Sequence, residues 1–370
     1  MLRKLVLENF RNYGKLELNF AAKAGLTYLI GDNGQGKTNL LEAIYMLALG
    51  KSFRTSDDAD LIEWSAEYGR VKGVIGDKQE LEIFLGRPPQ PRRVFKQNNV
   101  RISANNFVGK AKVVFFHPED LNMLYLGPDL RRRYLDIMLL QSSSIYFGAL
   151  RKYKRIREQR NALLGRVREG LSRQDELKIW DEGLVKEGAI LWRTRAAALE
   201  FINTRLVEKY YEISGEPAML RATYLNSLEL DFHLMSVTSN LEEIFLETLE
   251  KNRIREIAAA RSLFGPHRDE IEFNLNGKAI ASHASRGEFR TILLALKLIE
   301  MDYFTEDGGD KPILLLDDVF SELDHRRQSF LLDKVVGYQT FITTTKDSAV
   351  INQEKLRDGE FIEVKGGEVV

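Results

Sequence analysis

The sequence predicts a mixed α/β fold interrupted by a mainly helical lobe, and three observations carry that prediction. The glycine-rich stretch GDNGQGKTNL (residues 31–40) lies between the strand-like run LTYLI and the helix-like LEAIYMLALG. In PILLLDDVFSELD (residues 312–324) an apolar run leads directly into two aspartates. From Pro128 to about Tyr211 there is no further proline, charged residues are dense, and apolar residues recur at helical rather than strand spacing.

Taken in order, residues 2–7, 15–20 and 26–30 are short Leu- and Val-rich runs separated by RNYG and AAKAG, and read as strands. A helix is expected from about Lys37 to Leu49, then strands near Val71–Ile75, Leu81–Leu85 and Val113–Phe116. The charged stretch after Pro128 reads as long amphipathic helices. Alternation returns in EIEFNLNGKAI, where Asn276 and Gly277 supply the positive φ angles of a hairpin turn. A helix from about Gly287 to Phe304, a strand at Pro312–Leu316, a helix starting near Asp324 and a strand at Thr340–Thr345 complete the chain.

Composition narrows the classes. The 370 residues suffice for two or three domains, and 44% hydrophobic with 29% charged content is ordinary for a soluble protein. There is no cysteine, so a disulfide framework and a thiolate metal site are both excluded. The N-terminus MLRKLVLENFRNYG is too charged for a signal peptide, and no run approaches 18 apolar residues. A cytoplasmic protein without a membrane span is expected. Lys plus Arg and Asp plus Glu are both 54, so any nucleic-acid contact must come from local clustering.

Gly31, Gly36, Lys37 and Thr38 match G-x-x-x-x-G-K-[ST], with a strand before and a helix after. Such glycines let backbone N–H groups turn inward around phosphate oxygens at a helix N-terminus. Asp32, Asn33, Gly34, Gln35 and Asn39 belong to the same loop. Lys37 then reaches the β and γ phosphates of ATP, and the Thr38 hydroxyl ligates Mg²⁺. A loop of this kind requires an acidic residue at the end of a buried strand, and the aspartates at 317 and 318 supply it. Asp317 is the expected Mg²⁺ partner, through water, and Asp318 the group that orients or deprotonates the attacking water. The plainer alternatives are a glycine-rich turn and an acidic pair capping a strand end.

Ser285, Arg286, Gly287 and Glu288 resemble the signature S-x-G-[QE] of ABC-type ATPases, and SELD (residues 321–324) resembles their D-loop. Taken alone, SRGE reads more plainly as a helix capping box. The resemblance widens along LENFRNYGKLELNF, GDNGQGKTNLLEAIYMLALGKSFRT, HPEDLNMLYLGPDLRRRYLD, LFGPHRDEIEF, ASRGEFRTILLALKL and PILLLDDVFSELD, which are similar, in this order, to the RecF family of recombination-repair proteins.

The resemblance implies an ABC-type P-loop ATPase head with a second, mainly helical lobe, related to SMC and Rad50 heads but lacking their long coiled coil. Residues 1–127 and 263–370 would form the ATPase lobe and residues 128–262 the insertion. It implies ATP and Mg²⁺ as cofactors, an ATP-dependent homodimer in which Ser285–Glu288 grip the nucleotide of the opposite subunit, and weak, DNA-stimulated ATPase activity. It also implies binding to double-stranded DNA and single/double-strand junctions, cooperation with RecR and RecO in loading RecA, a part in replication and the SOS response, and a nucleoid-associated location. Arg11 would lie where the N-terminal lobe approaches the nucleotide. His117–Asp120 falls where relatives place a Q-loop, without its glutamine. Asp318 replaces the more usual Glu, and FITTT ends in threonines where many relatives place a switch histidine; both suggest slow hydrolysis.

Two basic clusters could meet DNA phosphates. One is Arg131, Arg132 and Arg133; the other includes Arg151, Lys152, Lys154 and Arg155, where spacings of three and four share a helix face. On the residues alone a solvated helix face or structural ion pairs is the plainer account, and the resemblance is what favours DNA contact for at least one cluster. A transporter's nucleotide-binding subunit and a scaffold that binds ATP without turnover are the remaining alternatives.

Overall fold

The computed structural model describes residues 1–21, 24–87, 92–231, 235, 240–306, 309–345 and 359–370, so Ala22 and Lys23 of the AAKAG turn lie outside it. The chain divides into two compact units, residues 1–121 with 290–370, and residues 122–289. In chain order the strands are β1 (Leu2–Phe10), β2 (Tyr13–Asn19), β3 (Leu26–Ile30), β4 (Tyr68–Ile75), β5 (Gln79–Gly86), β6 (Arg92–Gln97), β7 (Val100–Ile102) and β8 (Val113–Phe116). They continue with β9 (Leu220–Leu225), β10 (Glu270–Leu275), β11 (Lys278–Ala279), β12 (Ile313–Asp317), β13 (Thr340–Thr344), β14 (Glu360–Lys365) and β15 (Glu368–Val369).

The first unit holds two sheets. One is antiparallel, in the order β2-β1-β4-β5-β6-β7. The other has the order β15-β14-β3-β13-β12-β8 and is parallel except for its edge hairpin β14–β15. The P-loop helix, Lys37–Leu49, packs on β4 and β5 of the first sheet and on β8, β12 and β13 of the second. Every residue from Leu40 to Leu49 is buried, which is why LLEAIYMLAL has no polar face: a helix covered on all sides must be apolar all round. In β12 every residue is buried, as a central parallel strand requires.

The second unit contains the expected helices, Pro128–Ser142, Ser144–Arg168 and Lys178–Ser214. The last has 37 residues, about 56 Å at 1.5 Å per residue. Here the structure corrects the expected boundaries. Residues 263–289 are expected with the ATPase lobe, but β10 pairs antiparallel with β9 along its length, Glu270 opposite Leu225 and Leu275 opposite Leu220. A strand cannot leave the ladder that pairs its whole length, so this segment folds with the helices. The hairpin at Asn276 and Gly277 has positive φ at both residues, as its turn type demands.

The interior of this unit carries charge. Arg160 is fully buried and bonds Asp181 and Glu256, both at 2.6 Å, and Ser262 at 2.9 Å. Arg195 bonds Asp136 at 2.8 Å, Tyr146 at 2.9 Å and the Pro266 carbonyl at 2.7 Å. His267 sits beside this network. Its Nε2–H donates to the Ser262 carbonyl at 3.2 Å, and its Nδ1 accepts from the Tyr153 hydroxyl at 2.7 Å. Burial, with Arg157 nearby, pushes the imidazole down to about 3.

A histidine held neutral in the fold and free to charge in the unfolded chain binds more protons when unfolded, so stability rises with pH across that window. Its contribution is complete above about 6.5 and is lost as pH falls toward 3. We expect the melting temperature to fall on acidification below about pH 6.5. His267→Gln, which keeps one acceptor and one donor, is expected to flatten that slope in melts recorded from pH 7.5 to pH 4.5.

Candidate nucleotide-binding site

The loop after β3 enters its helix at Lys37 with Gly36 at φ 116°, and a Cβ there would stand 2.7 Å from the Asn12 amide and 2.8 Å from the Tyr13 hydroxyl. Lys37 Nζ donates to the carbonyls of Gly31 at 2.6 Å and Asp32 at 2.7 Å. Burial lowers its ammonium from the usual lysine range, against the pull of Asp318, Asp317 and Asp32.

β13 lies between β3 and β12, with Thr343 paired to Leu29 on one side and Asp317 on the other. The Thr38 hydroxyl donates to Asp317 Oδ1 at 2.9 Å, so the loop and the acidic strand end meet, as the sequence requires. Thr343 also donates to Asp317 Oδ1, at 2.8 Å, and accepts the Asp318 N–H at 2.9 Å. One of the threonines of FITTT, Thr343, is thus a structural tie between the two aspartates. Asp318 adopts φ 50°. Partial burial raises its carboxyl and the Asp317 charge adds to this, while the Ser321 hydrogen bond and Lys37 act against them.

Several supports were not legible in the sequence. The Gln35 carbonyl accepts from Asn12 Nδ2 at 2.9 Å and from the Gly367 N–H at 3.1 Å, and Gln35 Oε1 accepts from the Gly366 N–H at 2.6 Å. The chain's last turn therefore grips the loop tip, and Gly367 is required there because its φ is 83° and a Cβ would stand 2.0 Å from the Asn12 carbonyl oxygen. Asn39 bonds Asn12 at 2.8 Å and Arg54 at 2.9 Å. Asp32, Asn33 and Gly34 are exposed at the loop surface.

Arg11 is tied to the P-loop helix. Its Nε and Nη2 donate to the fully buried Glu42 at 2.8 and 2.7 Å, and Nη1 donates to the Asp60 carbonyl at 2.8 Å. The guanidinium balances the only carboxylate of the P-loop helix, with Ser52 at 2.5 Å from the same group.

Ser285–Glu288 belong to the second unit and open the helix Arg286–Thr305. Ser285 donates to Glu288 Oε2 through N and Oγ, both at 2.7 Å, and accepts the Glu288 N–H at 3.3 Å, a complete capping box. The bonds from Ser285 hold the Glu288 carboxyl below its usual range. Ser285 and Arg286 are exposed, while Gly287 is partly covered.

The basic clusters separate by burial. Arg131 is buried and forks onto Glu270 at 2.7 and 2.9 Å, with the Met123 and Leu126 carbonyls completing its donors. Arg132 bonds the Asp269 carbonyl and Asp129. Their assignment to DNA is corrected: both guanidiniums hold the helix Pro128–Ser142 to the segment entering β10. Arg133 also has a partner within the fold. On the helix Ser144–Arg168, by contrast, Arg151, Lys152, Lys154 and Arg155 are exposed, with Lys152 3.4 Å from Glu187.

The loop amides, Lys37, Thr38 and Asp317 fit a magnesium nucleotide, since Mg²⁺ keeps most of its waters and takes one or two protein oxygens. Fold and site define an ABC-type ATPase head. A family model described as RecF/RecN/SMC N terminal domain matches residues 1–362. The DNA replication and repair protein RecF of Bacillus cereus (strain G9842) is 37% identical over 374 residues, covering 100% of this chain and 98% of that protein. Its counterpart in Bacillus mycoides (strain KBAB4) is 36% identical over the same length and coverage. The chain belongs to the RecF family.

Among solved structures, the recombination mediator protein RecF-ATPrS in the RecFOR pathway superposes with a TM-score of 0.89 at 34% identity, covering 100% of this chain and 97% of that one. An Smc head bound to the C-winged helix domain of ScpA shares the fold, with a TM-score of 0.54 at 19% identity and coverage of 100% and 97%. Among the described residues no helix is long and apolar enough to cross a membrane.

Thr343→Val should leave the Asp318 N–H unsatisfied and cost about 1–3 kcal/mol in urea unfolding, whereas Thr343→Ser should lose little.

Proposed function

We propose that this protein is an ATP-dependent DNA-binding ATPase of recombinational repair and replication, whose nucleotide-bound homodimer clamps DNA at gaps or junctions. The observation that carries the reading is the Thr38–Asp317 hydrogen bond at 2.9 Å, which brings together two segments 279 residues apart. Its support from relatives is twofold: proteins 36 and 37% identical are named for DNA replication and repair, and similar solved chains are titled RecF-ATPrS and RecF-ATP.

In this reading Lys37 and the loop amides bind the phosphates, Thr38 and Asp317 hold Mg²⁺, and Asp318 orients the attacking water. Bound Mg²⁺ offsets charge on the reacting phosphates. Ser285–Glu288 present a hydroxyl, backbone N–H groups and a helix N-terminus to the nucleotide of a second copy. The raised carboxyl of Asp318 and the internal commitment of Thr343 both support slow turnover. DNA contact falls to Arg151, Lys154 and Arg155, with Lys152 beside them and Arg133 as a lesser candidate. Such binding depends on DNA backbone and shape rather than on base edges. Cooperation with RecR, RecO and RecA is the pathway we assign to it.

Light scattering with and without Mg-ATP should show conversion of monomer to dimer together with tighter DNA binding. Ser285→Arg should bind ATP and stay monomeric; a Ser285→Arg protein that still dimerises with ATP would sink the shared-site model. Wild-type dimerisation without turnover would leave a scaffold.

The DNA assignment has its own test. Replacing Lys154 and Arg155 with alanine should lessen the dependence of log affinity on log salt by about 0.9 for each phosphate no longer neutralised. An unchanged slope would move the DNA face elsewhere.

A further inference from the structure

The nucleotide reading leaves a neighbour of Asp317 unused. β8 runs beside β12 with Phe116 opposite Leu316, so the next residues along, His117 and Asp317, emerge together at the strand ends. The His117 imidazole stands with Nε2 3.7 Å from Asp317 Oδ2, beyond a direct hydrogen bond and within reach of a small ring rotation. Its tautomer follows from its other contact. The Glu119 N–H donates to His117 Nδ1 at 3.2 Å, so in the neutral ring the proton resides on Nε2, on the side of Asp317.

An ion pair to a buried lysine holds this residue in place. Asp120 Oδ2 accepts the His117 N–H at 3.1 Å and lies 3.2 Å from Lys297 Nζ. Lys297 sits on the helix Arg286–Thr305 with its side chain only 7% exposed, and Glu300 lies 3.6 Å from the same ammonium. An ammonium buried to that degree is costly unless paired. Moving the 117–120 segment would strip Lys297 of one of these two carboxylates, so the segment is anchored where it stands.

We propose that His117 is a positioning residue for the metal-holding carboxylate of Asp317, kept in register by the Asp120–Lys297 pair. The inference rests on the reading of Asp317 and Thr38 as the Mg²⁺ site. In that reading Thr38 turns its hydroxyl oxygen to the cation and no longer donates to Asp317 Oδ1. Thr343 remains on Oδ1, and His117 Nε2–H is the donor at hand for Oδ2. With both oxygens engaged the carboxylate plane is fixed, and with it the hydrated cation. Outer partners of this kind typically change metal affinity by about 10–100-fold.

The test is a binding measurement rather than a rate. A fluorescent ATP analogue is titrated into the full-length protein in EDTA and at a series of Mg²⁺ concentrations. Wild type should bind more tightly with Mg²⁺. His117→Ala should require at least about ten times more Mg²⁺ for half the gain, with affinity in EDTA unchanged. His117→Gln, whose amide nitrogen falls near the Nε2 position, should restore the Mg²⁺ response. His117→Asn, whose amide nitrogen falls near Nδ1, should not.

A wild type indifferent to Mg²⁺ would fail the underlying site reading. A wild type that responds, alongside a His117→Ala protein that responds equally, would overturn the role of His117. Equal impairment of the alanine and glutamine variants would overturn it too, because ring volume rather than an N–H donor would then be at issue. Nitrogen NMR of the imidazole adds a direct check: the Nε2-protonated tautomer is expected, and the Nδ1-protonated form would contradict the proposal.

Discussion

The first unit depends on one constraint, the burial of the P-loop helix between two sheets. A helix covered on every side has its position set by the core, and with it the place where the loop at its N-terminus ends. That same burial leaves Glu42 without water, and an unpaired buried carboxylate would cost several kcal/mol. Arg11 and Ser52 supply its partners, which ties the β1–β2 turn and the chain after the helix to the loop's foundation. Asn12 and Tyr13, one and two residues on, then reach the loop itself. A single buried acid thus organises two separate segments around the phosphate-binding turn.

Strand order in the parallel sheet does the rest. Placing β13 between β3 and β12 puts a threonine directly beside the acidic strand end, and placing β8 on the far side of β12 brings a histidine there. Neither neighbour is close to Asp317 in sequence. Local motif and long-range topology therefore supply different parts of the candidate site: the motif gives the loop, its lysine and threonine and the aspartates, and the topology gives the side chains that stand beside them.

This division explains what the sequence could reveal. Lys37–Leu49 as a helix, the strand ending at Asp317 and the Asn276–Gly277 turn follow from local patterns, and the structure places each within a residue or so of expectation. The meeting of Thr38 with Asp317 was also legible, because a P-loop demands it. The contacts of Thr343 and Gly367 and the place of His117 beside Asp317 were not, since each depends on which strand or turn lies alongside. The domain boundary at residue 263 failed for the same reason. Alternation in EIEFNL identifies a strand but not its partner, and the partner proved to be β9 within the helical unit.

Arginine shows why charge clusters mislead when read from a line of letters. Arg131, Arg132 and Arg160 all lie in basic runs, yet each guanidinium is drawn inward by a carboxylate or carbonyl supplied from distant sequence. A planar guanidinium can fork onto such acceptors, which makes Arg the cation that helical interiors accept. On the helix Ser144–Arg168, Tyr153 and Arg160 mark the buried side, seven residues or two turns apart, and Tyr153 is occupied with His267 rather than free to stack on a base. Removing the inward-facing positions leaves an exposed basic stripe, Arg151, Lys154 and Arg155, at spacings of three and four that keep them on a common face. A chain of zero net charge can still present a local phosphate-binding surface, because folding, rather than composition, decides which cations remain outside.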